Sequence, residues 1–262
     1  MTLRALDVLG GADVVAAEDT RNTSHLLKHH GIRANQLIAV HQHNERGAAD
    51  KLVAAIQSGQ SVAFVSDAGT PGVSDPGALL VQAVRSAGLR VIPIPGASAV
   101  VAALSASGLN APHFLFYGFL PNKSAARCAV LNDLISHPYT LVFYEAPHRI
   151  VECIADLHAV LGGERQIVLA REVTKLFETI HSCALSEAQS WLLSDSNQQR
   201  GEFVVLVSGA VQQPGLPAET LSTLKILLED LPLKQAVQLT TKITGANRSE
   251  LYQLALEMKS AD

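Results

Sequence analysis

Short apolar runs alternate with longer amphipathic segments over the first hundred residues. The runs DVVAA, QLIAV, SVAFV and LRVIPI cover 13–17, 36–40, 61–65 and 89–94. The helical segments between them, each followed by a glycine that is typical of a helix end, cover 22–30, 45–58 and 75–87. The last opens with Ser74-Asp75-Pro76, which predicts an N-cap followed by proline in the first turn. Near-continuous apolar strands in alternation with helices predict a parallel sheet covered on both faces.

The pattern changes after residue 108. Apolar runs now cover 114–120, 140–146, 167–172, 178–185 and 202–209. The close spacing of the third and fourth runs favours a hairpin, and one helix fits at 186–193, so we predict a mixed sheet with helices. A linker-like stretch, VQQPGLP at 211–217, precedes three helical segments at 218–231, 232–244 and 247–258.

These patterns predict an α/β protein with three parts. The first is an α/β domain over 1–111 with a parallel sheet, and the second is an α/β domain over 112–211 with a mixed sheet. A small helical tail over 218–262 has the proportions of a helix-turn-helix. The tail would have a basic side formed by Lys234, Lys242, Arg248 and Lys259. RNA contact and simple packing explain the tail equally well, because acidic residues are interspersed.

Composition narrows the class of protein. The net charge of −4 argues against a protein that coats nucleic acid along its whole length, although it leaves room for a local basic patch. The three cysteines form no C-x-x-C pair, so we expect neither a zinc nor a redox site, and an unpaired set suits a reducing cytoplasm. No run approaches ~18 apolar residues, so no membrane span is expected.

Two glycine-containing stretches follow predicted strands. They are VSDAGTPGVSDPG at 65–77 and VIPIPGASAVVAALSASG at 91–108. Ligands of open α/β sheets bind at the carboxyl ends of strands, and glycine lets backbone approach them closely. Neither stretch is a Walker loop or a G-x-G-x-x-G fingerprint. A tight turn explains the first equally well, and close helix packing explains the second.

Charged residues follow two later strands, in FYEAPHRI at 143–150 and AREVTKLFE at 170–178. They offer acids, bases and phosphate contacts, and mutual pairing is the alternative for any one of them. In AAEDTRNT at 16–23, helix capping is the favoured interpretation. His41 and His43 lack an H-E-x-x-H partner, so we expect no metal.

These stretches, with YGFLP, E-T-I-H and GEFVVLV in the same order, resemble the ribosomal small-subunit methyltransferase I family over nearly the whole chain. Its members are rRNA (cytidine-2′-O)-methyltransferases of the tetrapyrrole-methylase superfamily. The resemblance implies two α/β domains with S-adenosylmethionine between them, a homodimer, a cytoplasmic location and a substrate in the RNA of the small ribosomal subunit. It implies no metal.

The resemblance also implies roles for individual residues. The cofactor-binding residues would be Gly69, Thr70, Pro71, Ser98, Ala99, Phe143 and Tyr144. The catalytic residues, near the transferred methyl group and the RNA, would be Glu145, His148, Arg149 and Arg171. Among these, Glu145 and His148 are the candidate bases, and the arginines, with Lys175, would hold phosphate or lower the pKa of the hydroxyl.

The beginning of the chain departs from the family pattern. Members of the family start with an extra strand and a P-T-P-I-G-N-L-like loop ahead of the helix that reads MTLRALDVL here. We therefore expect the first strand of the family fold to be missing. Two alternatives stay open: a methyltransferase of the same superfamily that acts on a tetrapyrrole or another small molecule, and an inactive, N-terminally truncated RNA-binding form.

Overall fold

The structure is a computed structural model that describes residues 1–110, 112–211, 216 and 218–260. It divides into two compact units, residues 1–210 and 211–262. The first unit contains both sheets, and the second contains three helices. No helix within the described ranges is long and apolar enough to cross a membrane.

The first sheet is parallel, with strand order β2-β1-β3. In chain order its elements and the helices around them are α1 (Leu3–Gly11), β1 (Val14–Ala17), α2 (Thr20–His29), β2 (Gln36–Ala39), α3 (Glu45–Gln57), β3 (Val62–Val65), α4 (Ala78–Ser86) and α5 (Ala99–Ala106). Alternate residues of β1 pack against α3 and α4 on one face and against α1 and α2 on the other. The predicted parallel sheet with two covered faces is confirmed.

Two local predictions in this part are wrong. The run LRVIPI at 89–94 forms no strand. Pro93 and Pro95 have no N–H to donate, and no described strand pairs with the run. Helix α4 begins at Ala78 rather than at Asp75, because the backbone bends over residues 74–76 and Gly77, with φ of 127°, is the N-cap.

The second sheet is mixed, with strand order β4-β5-β8-β6-β7, and only β4 and β5 run parallel. Its elements are β4 (Phe114–Phe119), α6 (Ser124–Leu134), β5 (Thr140–Glu145), α7 (Ile150–Leu161), β6 (Gln166–Arg171), β7 (Thr179–Ala184), α8 (Leu185–Ser194), a 3-10 turn (Ser196–Gln199) and β8 (Phe203–Val207). Helices α6, α7 and α8 cover one face, and α5 packs on the other. The predicted hairpin and mixed sheet are confirmed.

The second unit consists of α9 (Ala218–Asp230), α10 (Leu233–Thr244) and α11 (Arg248–Ser260). Its core contains Leu224, Val237, Leu251 and Ala255. The three predicted helices are confirmed. The predicted linker at 211–217 and the side chain of Lys259 lie largely outside the described residues.

Candidate functional site

The turn after β3 exposes the backbone that the sequence pattern singled out. The N–H of Val73 donates to the carbonyl of Thr70 at 3.1 Å. Pro71 occupies the second position of this turn, and Gly72, with φ of 78°, occupies the third, which is the pattern of a type II turn. Gly69, Thr70 and Pro71 are exposed, so their backbone can contact a ligand.

A buried carboxylate that the sequence analysis missed fixes the end of this turn. Glu45, at the start of α3, is 6% exposed. Its Oε1 accepts hydrogen bonds from the backbone N–H groups of Gly77, Leu79 and Leu80 at 2.9, 2.9 and 3.1 Å. A carboxylate at a helix N-terminus accepts hydrogen bonds from the free backbone N–H groups there. Its negative charge also interacts favourably with the positive end of the helix dipole. The sequence gives no sign of this long-range contact.

Carboxylates gather beside the turn at the carboxyl ends of β1 and β3. The N–H of Asp67 donates to Glu18 Oε2 at 3.2 Å, and Asp67 accepts from Asn22 Nδ2 at 3.0 Å. Burial, followed by the negative charges of Glu18 and Asp67, raises the pKa of Asp75. Asp75 therefore takes up a proton more readily than an ordinary aspartate does.

Asp19 has the structural role that the sequence favoured. It is the N-cap of α2 and accepts from the N–H of Arg21 at 2.8 Å. Hydrogen bonds from Arg21 lower the pKa of Asp19 to about 2.

The start of α5 and the turn after β3 both approach Tyr144. Helix α5 packs on the second sheet through Val100 and Ala103. The Tyr144 hydroxyl lies near the backbone N–H of Val100. Burial raises the pKa of Tyr144, and the nearby charge of Asp75 adds to the effect. Ser98 is the N-cap of α5 and makes no side-chain cap, so the first N–H groups of the helix lack that partner.

Strand β4 completes the wall around Tyr144. The ring of Phe116 lies 5.0 Å from that of Tyr144 and the ring of Phe119 lies 5.6 Å from it, measured between centroids. A Cβ placed on Gly118 would come within 3.0 Å of Ser74 Oγ, so the turn after β3 approaches this strand closely. The structure thus brings the turn, the start of α5 and Tyr144 together.

The side chain of Phe143 lies elsewhere. It is fully buried in the core beneath α6, α7 and α8, on the sheet face opposite Tyr144. Successive residues of a strand point to opposite faces, so only the backbone of Phe143 can contribute on the Tyr144 side.

Glu145 and Arg171 also lie on the face opposite Tyr144. Both are in register with Phe203 of β8, which packs in that same core. Glu145 is 2% exposed, and its Oε1 lies 3.2 Å from Arg149 Nε. This carboxylate is the buried counter-charge of Arg149. The nearby thiol of Cys153 has a raised pKa because of burial and then Glu145.

Arg149 and a second arginine hold the connection between β4 and α6. Arg149 Nη2 donates to the carbonyl of Leu120 at 2.6 Å, and Nη1 donates to Asn122 Oδ1. Arg127, which is 1% exposed, donates from Nε to Asp156 at 2.6 Å and from Nη1 to the carbonyl of Pro121 at 3.3 Å. No local pattern in the sequence indicates this role of Arg127, because its partner is 29 residues away.

Of the four predicted catalytic residues, Glu145 and Arg149 contact each other, whereas Arg171 has other partners. Arg171 donates to the carbonyl of Arg200 at 3.2 Å and to Thr179 Oγ1 at 3.1 Å, which fixes neighbouring strands. Glu145, Arg149 and Arg171 make internal contacts. His148 is exposed, on a turn closed by the bond from the N–H of Arg149 to the carbonyl of Ala146 at 3.0 Å.

The chain is similar to known proteins over both units. Residues 1–189 match the family model described as tetrapyrrole (corrin/porphyrin) methylases, and residues 214–259 match the RsmI C-terminal HTH domain. The ribosomal RNA small subunit methyltransferase I of Pseudomonas aeruginosa is 51% identical over 257 residues, 97% of this chain and 91% of the relative. The protein of that name from Escherichia coli O157:H7 is 48% identical over 260 residues, 99% of this chain and 91% of the relative.

Solved structures share the fold. The methyltransferase CobJ is 21% identical with a TM-score of 0.59 and covers 83% of this chain and 91% of its own. Uroporphyrin-III C-methyl transferase from Thermus thermophilus, complexed with S-adenyl homocysteine, is 17% identical with a TM-score of 0.54 and covers 79% of this chain and 90% of its own.

Proposed function

The chain belongs to the ribosomal RNA small subunit methyltransferase I family, and we propose that it methylates the 2′-hydroxyl of a cytidine ribose in small-subunit ribosomal RNA, with S-adenosylmethionine as the methyl donor. The observation that carries the proposal is that the segment after β3 approaches β4 through Ser74 and acts on Tyr144 through the charge of Asp75, while the start of α5 lies near Tyr144. The names of the relatives support an RNA substrate. In this proposal the protein acts in the cytoplasm as a homodimer. Light scattering can test the dimer, because it measures the molar mass.

The residues around Tyr144 suit S-adenosylmethionine, which supplies a methyl group on a positively charged sulfur. Gly69 to Pro71 offer exposed backbone, and the uncapped N–H groups at the start of α5 suit a carboxylate. The carboxylates Glu18, Asp67 and Asp75 give this region a negative charge that complements a sulfonium.

Positioning accounts for most of the rate enhancement in this scheme, because methyl transfer requires the ribose oxygen, the methyl carbon and the sulfur to lie in line. Asp75 is the proton acceptor that we favour. It lies near Tyr144, and its raised pKa brings it closer to the range that suits a general base. His148 is the second candidate, because it is exposed at the end of the strand that carries Tyr144.

Glu145, Arg149 and Arg171 have a different part in this proposal. Their internal hydrogen bonds fix the strand ends and the β4–α6 connection, so we propose that they position the site and do not touch the substrate.

The first test is tritium transfer from labelled S-adenosylmethionine. The full chain is incubated with small ribosomal subunits or with a porphyrinogen, and labelled RNA is digested to nucleosides. We expect the label in 2′-O-methylcytidine. Label in the porphyrinogen alone would favour the small-molecule alternative. No transfer to either acceptor, despite saturable cofactor binding by calorimetry, would contradict the proposal.

A further inference from the structure

The outer edge of the first sheet carries a concentration of positive charge. Residues 20–51, which include α2, β2 and the start of α3, contain five lysines and arginines against two acidic residues, a formal charge of +3. The rest of the chain contains 15 lysines and arginines against 22 acidic residues. Five of the ten histidines also lie in 20–51. Of the two acidic residues, Glu45 is buried and accepts a hydrogen bond from the start of α4. Asp50 is therefore the only exposed carboxylate of residues 20–51.

Four of these cations are free to meet a ligand. Lys28, Arg33, Arg46 and Lys51 are exposed, and none forms an ion pair within the described part of the chain. We call these four residues the β2-edge stripe. By contrast, Arg21 is held by Asp19 at 2.6 Å.

The stripe borders two open grooves, one beside each face of β2. One groove, of about 400 Å³, is lined by Ile38, His43 and Lys51 among others. The other, of about 420 Å³, is lined by Leu37, Lys28 and Arg33 among others. Leu37 and Ile38 are consecutive in β2 and so belong to opposite faces. Each groove thus combines apolar residues with positive charge, Lys51 in the first and Lys28 and Arg33 in the second.

The stripe leads to the candidate site. Strand β2 pairs with β1 on one side only among the described strands, and its carboxyl end lies at the same sheet edge as those of β1 and β3. Asn44 fixes the turn that follows β2 by accepting from the N–H of His41 at 2.8 Å and donating to the carbonyl of Ala39 at 3.0 Å. The next residue, Glu45, binds the start of α4 directly after the Gly69–Pro71 turn.

We infer that the β2-edge stripe binds the phosphate backbone of the substrate RNA and leads the strand toward the nucleotide that is methylated. Unpaired cations along open grooves complement a polyanion, and they stand out against a remainder of the chain that is acidic on balance. Edge strands are often protected from aggregation by lysine, but such protection does not require cations in grooves on both faces. The inference rests on the proposed RNA-methylating function.

Matched double variants test the inference. Lys28→Ala/Arg33→Ala removes the cations of one groove, and Arg46→Ala/Lys51→Ala removes the cations at the other end of the stripe. Arg85→Ala/Arg90→Ala is the control, because it removes two exposed, unpaired cations of the same sheet domain outside the stripe. Filter binding measures the affinity of each full-length variant for purified small-subunit RNA over a range of salt concentrations.

A plot of the logarithm of the RNA association constant against the logarithm of the salt concentration has a negative slope. Each stripe variant is expected to make this slope shallower by about 1.4, because each phosphate contact with a single strand contributes about 0.7. The same contacts correspond to about a tenfold loss of affinity at ~0.15 M salt. The control is expected to match the wild type, and all variants should keep the wild-type affinity for S-adenosylmethionine and the wild-type melting temperature. In methylation assays KM for small subunits should rise while kcat stays unchanged.

Wild-type slope and affinity in both stripe variants would overturn the inference, even if the enzyme methylates RNA as proposed. The proposed function fails separately, if the wild-type chain binds S-adenosylmethionine but transfers no methyl group to RNA. In that case, a loss of RNA binding in the stripe variants but not in the control would still show that the β2-edge stripe binds RNA.

Discussion

At the scale of single residues, Asp75 links stability to activity. Its pKa is raised above the ordinary 3.8 by burial and by Glu18 and Asp67. The native state therefore binds more protons than the unfolded state between pH 3.8 and the folded pKa, and stability falls as the pH rises through that window. Asp75→Asn removes the unfavourable ionisation, so we expect a higher melting temperature at neutral pH and no difference well below pH 3.8.

The same variant should lose activity, because an amide cannot accept the proton of the ribose hydroxyl. The expected loss of kcat is ~10²–10⁴-fold, the usual contribution of a general base. Methyl transfer and thermal unfolding are measured on the same preparations. Asp133→Asn is the control, since Asp133 is exposed on α6 and distant in sequence. Full activity in Asp75→Asn would leave His148 as the base.

Glu45 is expected to stabilise, through its charge, the segment that follows the Gly69–Pro71 turn. Glu45→Gln keeps the shape of the side chain but replaces three charge-assisted bonds with neutral ones. We expect the free energy of unfolding to fall by about 1–3 kcal/mol and the affinity for S-adenosylmethionine to weaken. Urea unfolding and calorimetry check the two effects, with the exposed Asp50→Asn on the same helix as control. An unchanged stability would contradict the role that we give to this carboxylate.

The sequence predicted some of these residues and missed others for a physical reason. The Gly69–Pro71 turn is indicated by a strand end followed by glycines, and Ser98 by its place at the start of a predicted helix, and both are local signals. Glu45 and Arg127 were missed because their partners, α4 and Asp156, come close only after folding. Side chains alternate between the two faces along β5, so Tyr144 and Glu145, although adjacent in sequence, belong to opposite faces of the sheet.

At the scale of elements, the junction between the turn and α4 depends on Gly77. This residue has φ of 127°, and a Cβ there would lie 2.5 Å from Phe64 Cε1 and 3.3 Å from the backbone nitrogen of Gly72. We expect Gly77→Ala to cost about 1–3 kcal/mol from strain, with a further cost from overpacking. Chemical denaturation measures the cost.

Gly47→Ala is the matched control for that experiment. Gly47 lies inside α3, and a Cβ there meets nothing within 4 Å. Alanine in a helix interior should stabilise the protein by about 0.5–1 kcal/mol relative to glycine. Destabilisation by both variants to the same extent would contradict the specific role of Gly77.

Strands and helices were predicted correctly where the apolar residues of the sequence are also the residues that pack in the core. Strands β1, β2 and β3 are apolar runs that pack between helix layers, and their boundaries match the sequence pattern within one residue. The run at 89–94 is equally apolar but leaves Val91 and Ile92 exposed. A strand needs a hydrogen-bonded neighbour, and hydrophobicity alone does not report whether one is present.

At the scale of the whole molecule, the two units each have a core of their own. Residues 1–210 contain both sheets and every predicted cofactor-binding residue, and helices α9, α10 and α11 of the second unit pack around Leu224, Val237 and Leu251. The division of the first unit near residue 111 into two domains stays a prediction. The sequence marks the second unit by a change from strand to helix periodicity, and the three helices predicted there are present.

A chain ending at Ala210 should therefore keep the cofactor site. We expect it to unfold cooperatively and to bind S-adenosylmethionine with the affinity of the full chain, because no predicted cofactor residue lies beyond that point. Lys234, Lys242 and Arg248 are exposed cations of the removed unit, so KM for small ribosomal subunits should rise with little change in kcat. Calorimetry and tritium transfer measure the two effects. A rise in KM that a full-length Lys234→Ala/Lys242→Ala/Arg248→Ala variant reproduces would assign the loss to charge, whereas an unchanged KM would mean that the helical unit does not contribute to RNA binding.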